Sequence, residues 1–209
     1  VMIAMLFVGG IKFKHFLLIA IPALLMVPVL IIIEPYRLQR LTAFLNPWAN
    51  PKEEGFQLIQ SLYSLGSGGL WGVGLFNSRQ KFLFLPFSES DFIFSIVGEE
   101  LGFVGCVLLC FVYLLLIREG IKVARNASDR LGAYLAFGVT AVLSAQMLIN
   151  VAVVTGSIPP TGIPLPFISA GGTSLIMFLC AFGIILNVSK QSRTNFVEVK
   201  INKTLSKTT

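Results

Sequence analysis

PFSESDFIFSIVGEELGFVG, residues 86–105, passes from a polar run into an apolar, helix-like one at Asp91. Two adjacent acids, Glu99 and Glu100, lie inside the apolar part. A charged side chain inside a membrane-type span is costly, so each needs a partner or a task. Asp91 stands at the mouth of the span, where a carboxylate can meet both water and a ligand. The same residue could simply be the N-cap of a helix starting at Phe92.

Working outward, the 209 residues are 55% hydrophobic and only 12% charged. Their mean hydropathy is +0.83. A soluble domain carries about 25% charged residues. The apolar residues fall in long blocks, which predicts an all-α, polytopic transmembrane helix bundle. Candidate spans are a partial one at 1–11, then 16–33, 92–117, 131–155 and 172–188, giving four full spans plus one partial. Val1 lies within an apolar run with no charged leader before it, which reads as a chain missing its N-terminal part. Cys106, Cys110 and Cys180 sit in apolar runs without metal-ligand spacing and read as packing residues. His15, the single histidine, lies in a basic connector and reads as solvated.

Charge orients the bundle. If each span crosses once, three segments share a side: the first connector, the third connector and the C-terminal tail. They hold eleven basic residues against Glu119, Asp129 and Glu198, a net of +8. The 34–91 loop on the other side holds five bases and five acids. The basic side is therefore read as cytoplasmic, with the C-terminus there and the 34–91 loop extracellular. The whole-chain charge of +6 follows from topology, not from a nucleic-acid-binding face, so no nucleic-acid partner is expected.

Fifty-eight structureless residues would be unusual, and the large extracellular loop is read as carrying interfacial helices. Tyr36, Leu38, Leu41, Phe44 and Leu45 form one loose apolar face, with Arg37 and Arg40 one turn apart; Phe56, Ile59, Leu62, Tyr63 and Leu65 form another. Gly66, Gly68, Gly69, Gly72 and Gly74 follow, without the Gly-Lys-Ser/Thr ending of a P-loop. They read as a flexible turn or as backbone brought close to a ligand. The second external segment, GSIPPTGIPLPFISAG at 156–171, has four prolines and forms a stiff, irregular path. Such backbone at membrane depth must be buried in protein or line a wet cavity. Gly171 and Gly172 then open the last helix, whose free N–H groups suit an anion or an ordinary Ser/Thr cap.

The motifs in these external segments are specific. They include Pro35-Tyr36-Arg37 with Arg40, Leu45-Asn46-Pro47-Trp48, Gly55-Phe56-Gln57, and Gly68-Gly69 leading to Gly74. Ser78-Arg79-Gln80-Lys81 precedes Leu85-Pro86, and Ser90-Asp91-Phe92-Ile93-Phe94 leads to Glu99-Glu100-Leu101-Gly102. Asn150, Gly156, Pro159, Gly162, Leu165-Pro166-Phe167 and Ser169-Ala170-Gly171-Gly172-Thr173-Ser174 complete the set. By these residues the chain resembles the SEDS family of shape, elongation, division and sporulation proteins (FtsW, RodA, SpoVE). The resemblance covers about residues 1–195 and corresponds to the C-terminal half of a ten-span fold with both termini cytoplasmic; 196–209 is left as a basic cytoplasmic tail. Phe87 stands where the family commonly has Glu, with Glu89 two residues on.

The resemblance implies a peptidoglycan glycosyltransferase of the bacterial cytoplasmic membrane. Such an enzyme polymerises lipid II, the undecaprenyl-linked disaccharide peptide, beside a class B penicillin-binding protein. Asp91 matches the family's essential aspartate and is expected to be the catalytic general base. A divalent cation, Mg or Mn, on Asp91 is left open. Arg37, Arg40, Arg79 and Lys81 are candidates for binding the substrate's diphosphate, the alternative being contact with lipid headgroups. Ser169, Gly171 and Gly172 are further substrate-binding candidates. Glu99, Glu100 and Asn150 are assigned to structure and cavity shape, at least one acid pairing inside the bundle. Half a bundle is not expected to work alone. A flippase of lipid-linked precursors and a non-catalytic scaffold of the division or sporulation machinery are the competing classes.

Overall fold

The computed structural model describes residues 5, 9–10, 13–51, 55–79 and 90–208. Among them there is no strand. Six helices occur: α1 (Phe13–Ile33), α2 (Pro35–Leu45), α3 (Phe56–Gly68), α4 (Ile93–Arg125), α5 (Arg130–Val154) and α6 (Gly172–Thr208), with a 3-10 turn at Pro47–Ala49. The partial span at 1–11 lies largely outside the described residues. The expected span at 16–33 falls on α1, which keeps Pro22 and Pro28 within it. Among the described residues, three helices are long and apolar enough to cross a membrane: Ile93–Arg125, Arg130–Val154 and Gly172–Ser192. The third connector and the tail are more helical than hydropathy indicated, since α4 runs on to Arg125 and α6 to Thr208.

Local chemistry sets the ends. Pro35 occupies the first turn of α2, where its missing N–H costs nothing. Asp129 caps α5 by accepting from the Gly132 N–H at 3.0 Å. Lys122 and Arg125 lie in the last turn of α4, where cations suit the helix dipole.

The core joins α3, α4, α5 and α6. Phe92, Phe94, Ile96, Leu143, Met147, Val154, Leu165 and Phe178 are buried together. Leu58 and Ile59 of α3 are also buried, and α3 is tied down by polar contacts. The Ser61 hydroxyl donates to Val154 O at 3.0 Å, and that of Ser64 to Ser95 O at 2.9 Å. Phe103, Leu108, Phe111, Met177 and Leu186 remain exposed, as lipid-facing side chains would be.

Helix α4 is broken at Gly102, which adopts φ 67° and ψ −167°. In an unbroken helix, Phe103 and Val104 N–H would donate to the carbonyls of Glu99 and Glu100. Here they donate to Gly69 O (2.9 Å) and Leu70 O (3.2 Å). The released carbonyls of Glu99 and Glu100 accept from Val73 N–H (2.9 Å) and Gly74 N–H (3.1 Å). Residues 69–74 thus mend the break with four main-chain hydrogen bonds. A Cβ on Gly72 would lie 2.1 Å from Glu100 O, and one on Gly102 would lie 2.4 Å from Gly72 N. The glycine-rich stretch is therefore neither a loose turn nor, at Gly72, a ligand cradle: its close backbone approach is to α4.

Candidate active site

Asp91 precedes α4 but does not cap it. The N-cap residue is Phe92, with no side-chain cap bond, so the alternative role for Asp91 does not hold. Asp91 is partly exposed while its main chain is clamped. Asn150 Nδ2 donates to Asp91 O at 2.8 Å and to Ile163 O at 2.9 Å. The Ser169 hydroxyl donates to Ser90 O at 2.5 Å and accepts from Leu165 N–H at 2.8 Å. Two successive carbonyls, at 90 and 91, are thereby fixed to α5 and to the proline-rich segment. That segment is anchored at its far end, where the Tyr113 hydroxyl donates to Pro166 O and Phe167 packs edge-on against Phe182 at 5.0 Å.

The Asp91 carboxylate lies against Gly162, where an added Cβ would sit 3.5 Å from Oδ2. Two residues away, Pro160 O accepts from Arg40 Nη1 at 3.1 Å. The Arg40 guanidinium also covers the Tyr36 ring at 4.5 Å from its centroid. A short piece of one loop therefore brings a cation from α2 and the acid before α4 into one neighbourhood. Gly162 was not singled out from the sequence as a site residue. It belongs to the family motifs, which gave it no role of its own.

The other candidates are less gathered. Arg37 is exposed on α2 and Arg79 is exposed before the undescribed stretch. Lys81, Phe87 and Glu89 lie outside the described residues. Gly171 gives its N–H to Ser169 O at 2.8 Å, so that donor is not available to an anion; Gly172 begins α6. Glu100 is partly exposed, and its carbonyl is part of the mended break. Glu99 is 3% exposed and is the acid that pairs inside the bundle. Among the described residues its partners are Ser78, Ser64 and the Arg79 main chain.

A hard cation such as Mg needs oxygen donors and commonly takes one or two carboxylates plus substrate phosphates. Asp91 fits that role as a single carboxylate. No group of three His, Cys, Asp or Glu able to hold a metal occurs among the described residues.

Asn150 is 1% exposed, and its removal would orphan two carbonyls. Asn150→Ala is expected to lower stability by about 1–3 kcal/mol for each carbonyl left unpaired, read as a fall in melting temperature in detergent. An unchanged melting temperature would mean that these bonds do not hold the Asp91 turn.

Three apolar helices, an irregular proline-rich segment and an acid clamped beside it define a helical, multi-pass membrane protein. Residues 1–194 match the family model FTSW_RODA_SPOVE, described as cell cycle protein, and the chain belongs to this family. It is 48% identical over 191 residues to "Stage V sporulation protein E" of Bacillus subtilis (strain 168), covering 91% of this chain and 52% of that protein. It is 46% identical over 193 residues to "Probable peptidoglycan glycosyltransferase FtsW" of Geobacter sp. (strain M18), covering 92% and 53%. A solved structure described as "Structural coordination of polymerization and crosslinking by a peptidoglycan synthase complex" superposes with TM-score 0.70 at 29% identity, over 90% of this chain and 52% of that one. A crystal structure of a Thermus thermophilus rod shape determining protein RodA variant gives TM-score 0.50 at 30% identity, over 83% and 57%. The chain spans about half the length of the curated relatives it matches.

Proposed function

We propose that the full-length protein containing this chain is a membrane glycosyltransferase that polymerises lipid II into glycan strands, with Asp91 as general base. The observation that carries this reading is the clamped Asp91 turn. The carbonyls of Asp91 and Ser90 are held by Asn150 and Ser169, and Asp91 is a partly exposed residue with its carboxylate beside Gly162. In the reaction the acceptor sugar hydroxyl attacks the anomeric carbon of the donor. A C–O bond forms there as the bond to the lipid diphosphate breaks, and Asp91 takes the hydroxyl proton. Arg40 and Arg79, with Arg37 and Lys81, neutralise the departing diphosphate. A divalent cation, Mg or Mn, when bound at Asp91, would add positive charge beside the diphosphate.

The site faces the exterior in this reading, because the basic segments orient the bundle with its C-terminus in the cytoplasm. A class B penicillin-binding protein is the partner that would cross-link the strands. Family membership and the names of the relatives support the reaction class. Purified full-length protein given labelled lipid II tests it: polymer supports the enzyme, translocation without polymer would point to a flippase, and neither to a scaffold. Arg40→Ala is expected to raise the lipid II KM about 10–100-fold, the value of a lost charge-assisted hydrogen bond. An unchanged KM would assign Arg40 to holding the Pro160 segment alone.

A further inference from the structure

We propose that Glu99 is a positioning residue that places Arg79 in the diphosphate site, a role that rests on the glycosyl-transfer reading above. A buried carboxylate carries a large desolvation cost, which an apolar side chain of like size would avoid. Packing alone does not account for an acid here. Its two oxygens are divided between defined donors. Oε1 accepts from the Arg79 main-chain N–H at 3.0 Å. Oε2 accepts from the Ser78 hydroxyl at 2.5 Å and lies 3.3 Å from that of Ser64. Gripping adjacent residues fixes both the position and the direction of the chain as it reaches Arg79.

The same residue holds the other end of this loop, since Glu99 O accepts from Val73 N–H at 2.9 Å. Residues 73–79 are thus suspended from Glu99 by its carbonyl at one end and its carboxylate at the other. The network continues toward the base. Ser64, which reaches Glu99, also donates to Ser95 O at 2.9 Å, and the Ser95 hydroxyl donates to Phe92 O at 2.7 Å. Phe92 follows Asp91 directly. The start of α4 therefore serves as a common mount for Arg79 and Asp91, setting the separation of cation and base.

The test measures lipid II polymerisation by the full-length enzyme and its Ser78→Ala, Glu99→Gln, Glu99→Ala, Arg79→Ala and Ser78→Ala/Arg79→Ala variants. Glutamine keeps the grip, because its carbonyl accepts from Arg79 N–H and its amide donates to the serine hydroxyls; near-wild-type kinetics are expected. Ser78→Ala and Glu99→Ala are expected to raise KM about tenfold, a hydrogen bond's worth, with kcat changed less than about threefold. In the Arg79→Ala background, Ser78→Ala is expected to add nothing, because it acts through Arg79. Should Glu99→Ala not fold, Ser78→Ala decides, since it removes one hydroxyl and leaves the carboxylate its bond from the Arg79 N–H. The proposal is overturned if Glu99→Gln is as impaired as Glu99→Ala, if Ser78→Ala matches wild type, or if the Ser78 and Arg79 effects multiply. Wild-type protein without polymerase activity would overturn the glycosyl-transfer reading itself. A polymerising enzyme impaired by Arg79→Ala but not by Ser78→Ala overturns this inference alone.

Discussion

Asp91→Asn is expected to reduce glycan polymerisation by the full-length enzyme about a hundred- to ten-thousand-fold, the usual worth of a positioned general base. The substitution is close to isosteric. It leaves Asp91 O bonded to Asn150 and Ser90 O bonded to Ser169, because both contacts use main-chain atoms. No cap is lost, since α4 begins from Phe92 without a side-chain cap bond. The melting temperature and the lipid II KM should therefore stay near wild type while kcat collapses. Asp91→Ala should lose rate to a similar degree. A polymerisation rate near wild type in Asp91→Asn would remove this residue from the chemistry and leave the relatives' names as the remaining support for an enzyme.

Gly102→Ala is expected to be strongly destabilising. Forcing a residue with a Cβ to φ 67° costs about 1–3 kcal/mol. Overlap with main-chain atoms of Gly72 and Leu70, at 2.4–2.5 Å from the new Cβ, adds about 1–3 kcal/mol. The neighbours are backbone and cannot rotate away. Helix α4 can escape only by straightening, which restores its own hydrogen bonds and strips residues 69–74 of theirs. Hydrogen exchange should then speed up at Val73 and Gly74, with a lower melting temperature in detergent. Gly72→Ala should act in the same direction, because its Cβ would fall 2.1 Å from Glu100 O. Wild-type exchange at Val73 in Gly102→Ala would show that the break does not depend on glycine.

Much of the architecture was legible beforehand. Burying twenty or so consecutive apolar residues is a local property, so the span at 131–155 was placed to within a residue of α5. The two amphipathic stretches beyond α1 formed α2 and α3 for the same reason. Helices α4 and α6 run on past the expected spans because charged residues stop hydropathy but do not stop a helix. Arg118 and Lys122 continue α4 as good helix formers.

The site was only partly legible. Asp91 and Asn150 could be chosen from the family motifs, yet their contact joins residues 59 apart in sequence, and that of Arg40 with Pro160 joins residues 120 apart. Ser64 carried no signal and Ser78 only its place in a motif, because a serine has a use only once an acceptor is put beside it. From the sequence alone came the membrane class, the helices and an acid at the end of a span, all consequences of composition summed over neighbouring residues. Tertiary structure alone decided that the glycines close against α4, that Glu99 holds a loop by hydroxyl and main-chain donors, and that Asp91 is released from capping. The physical reason is that hydrogen bonds are directional and short-ranged, so their pairing is set only when distant segments are brought within about 3 Å of one another.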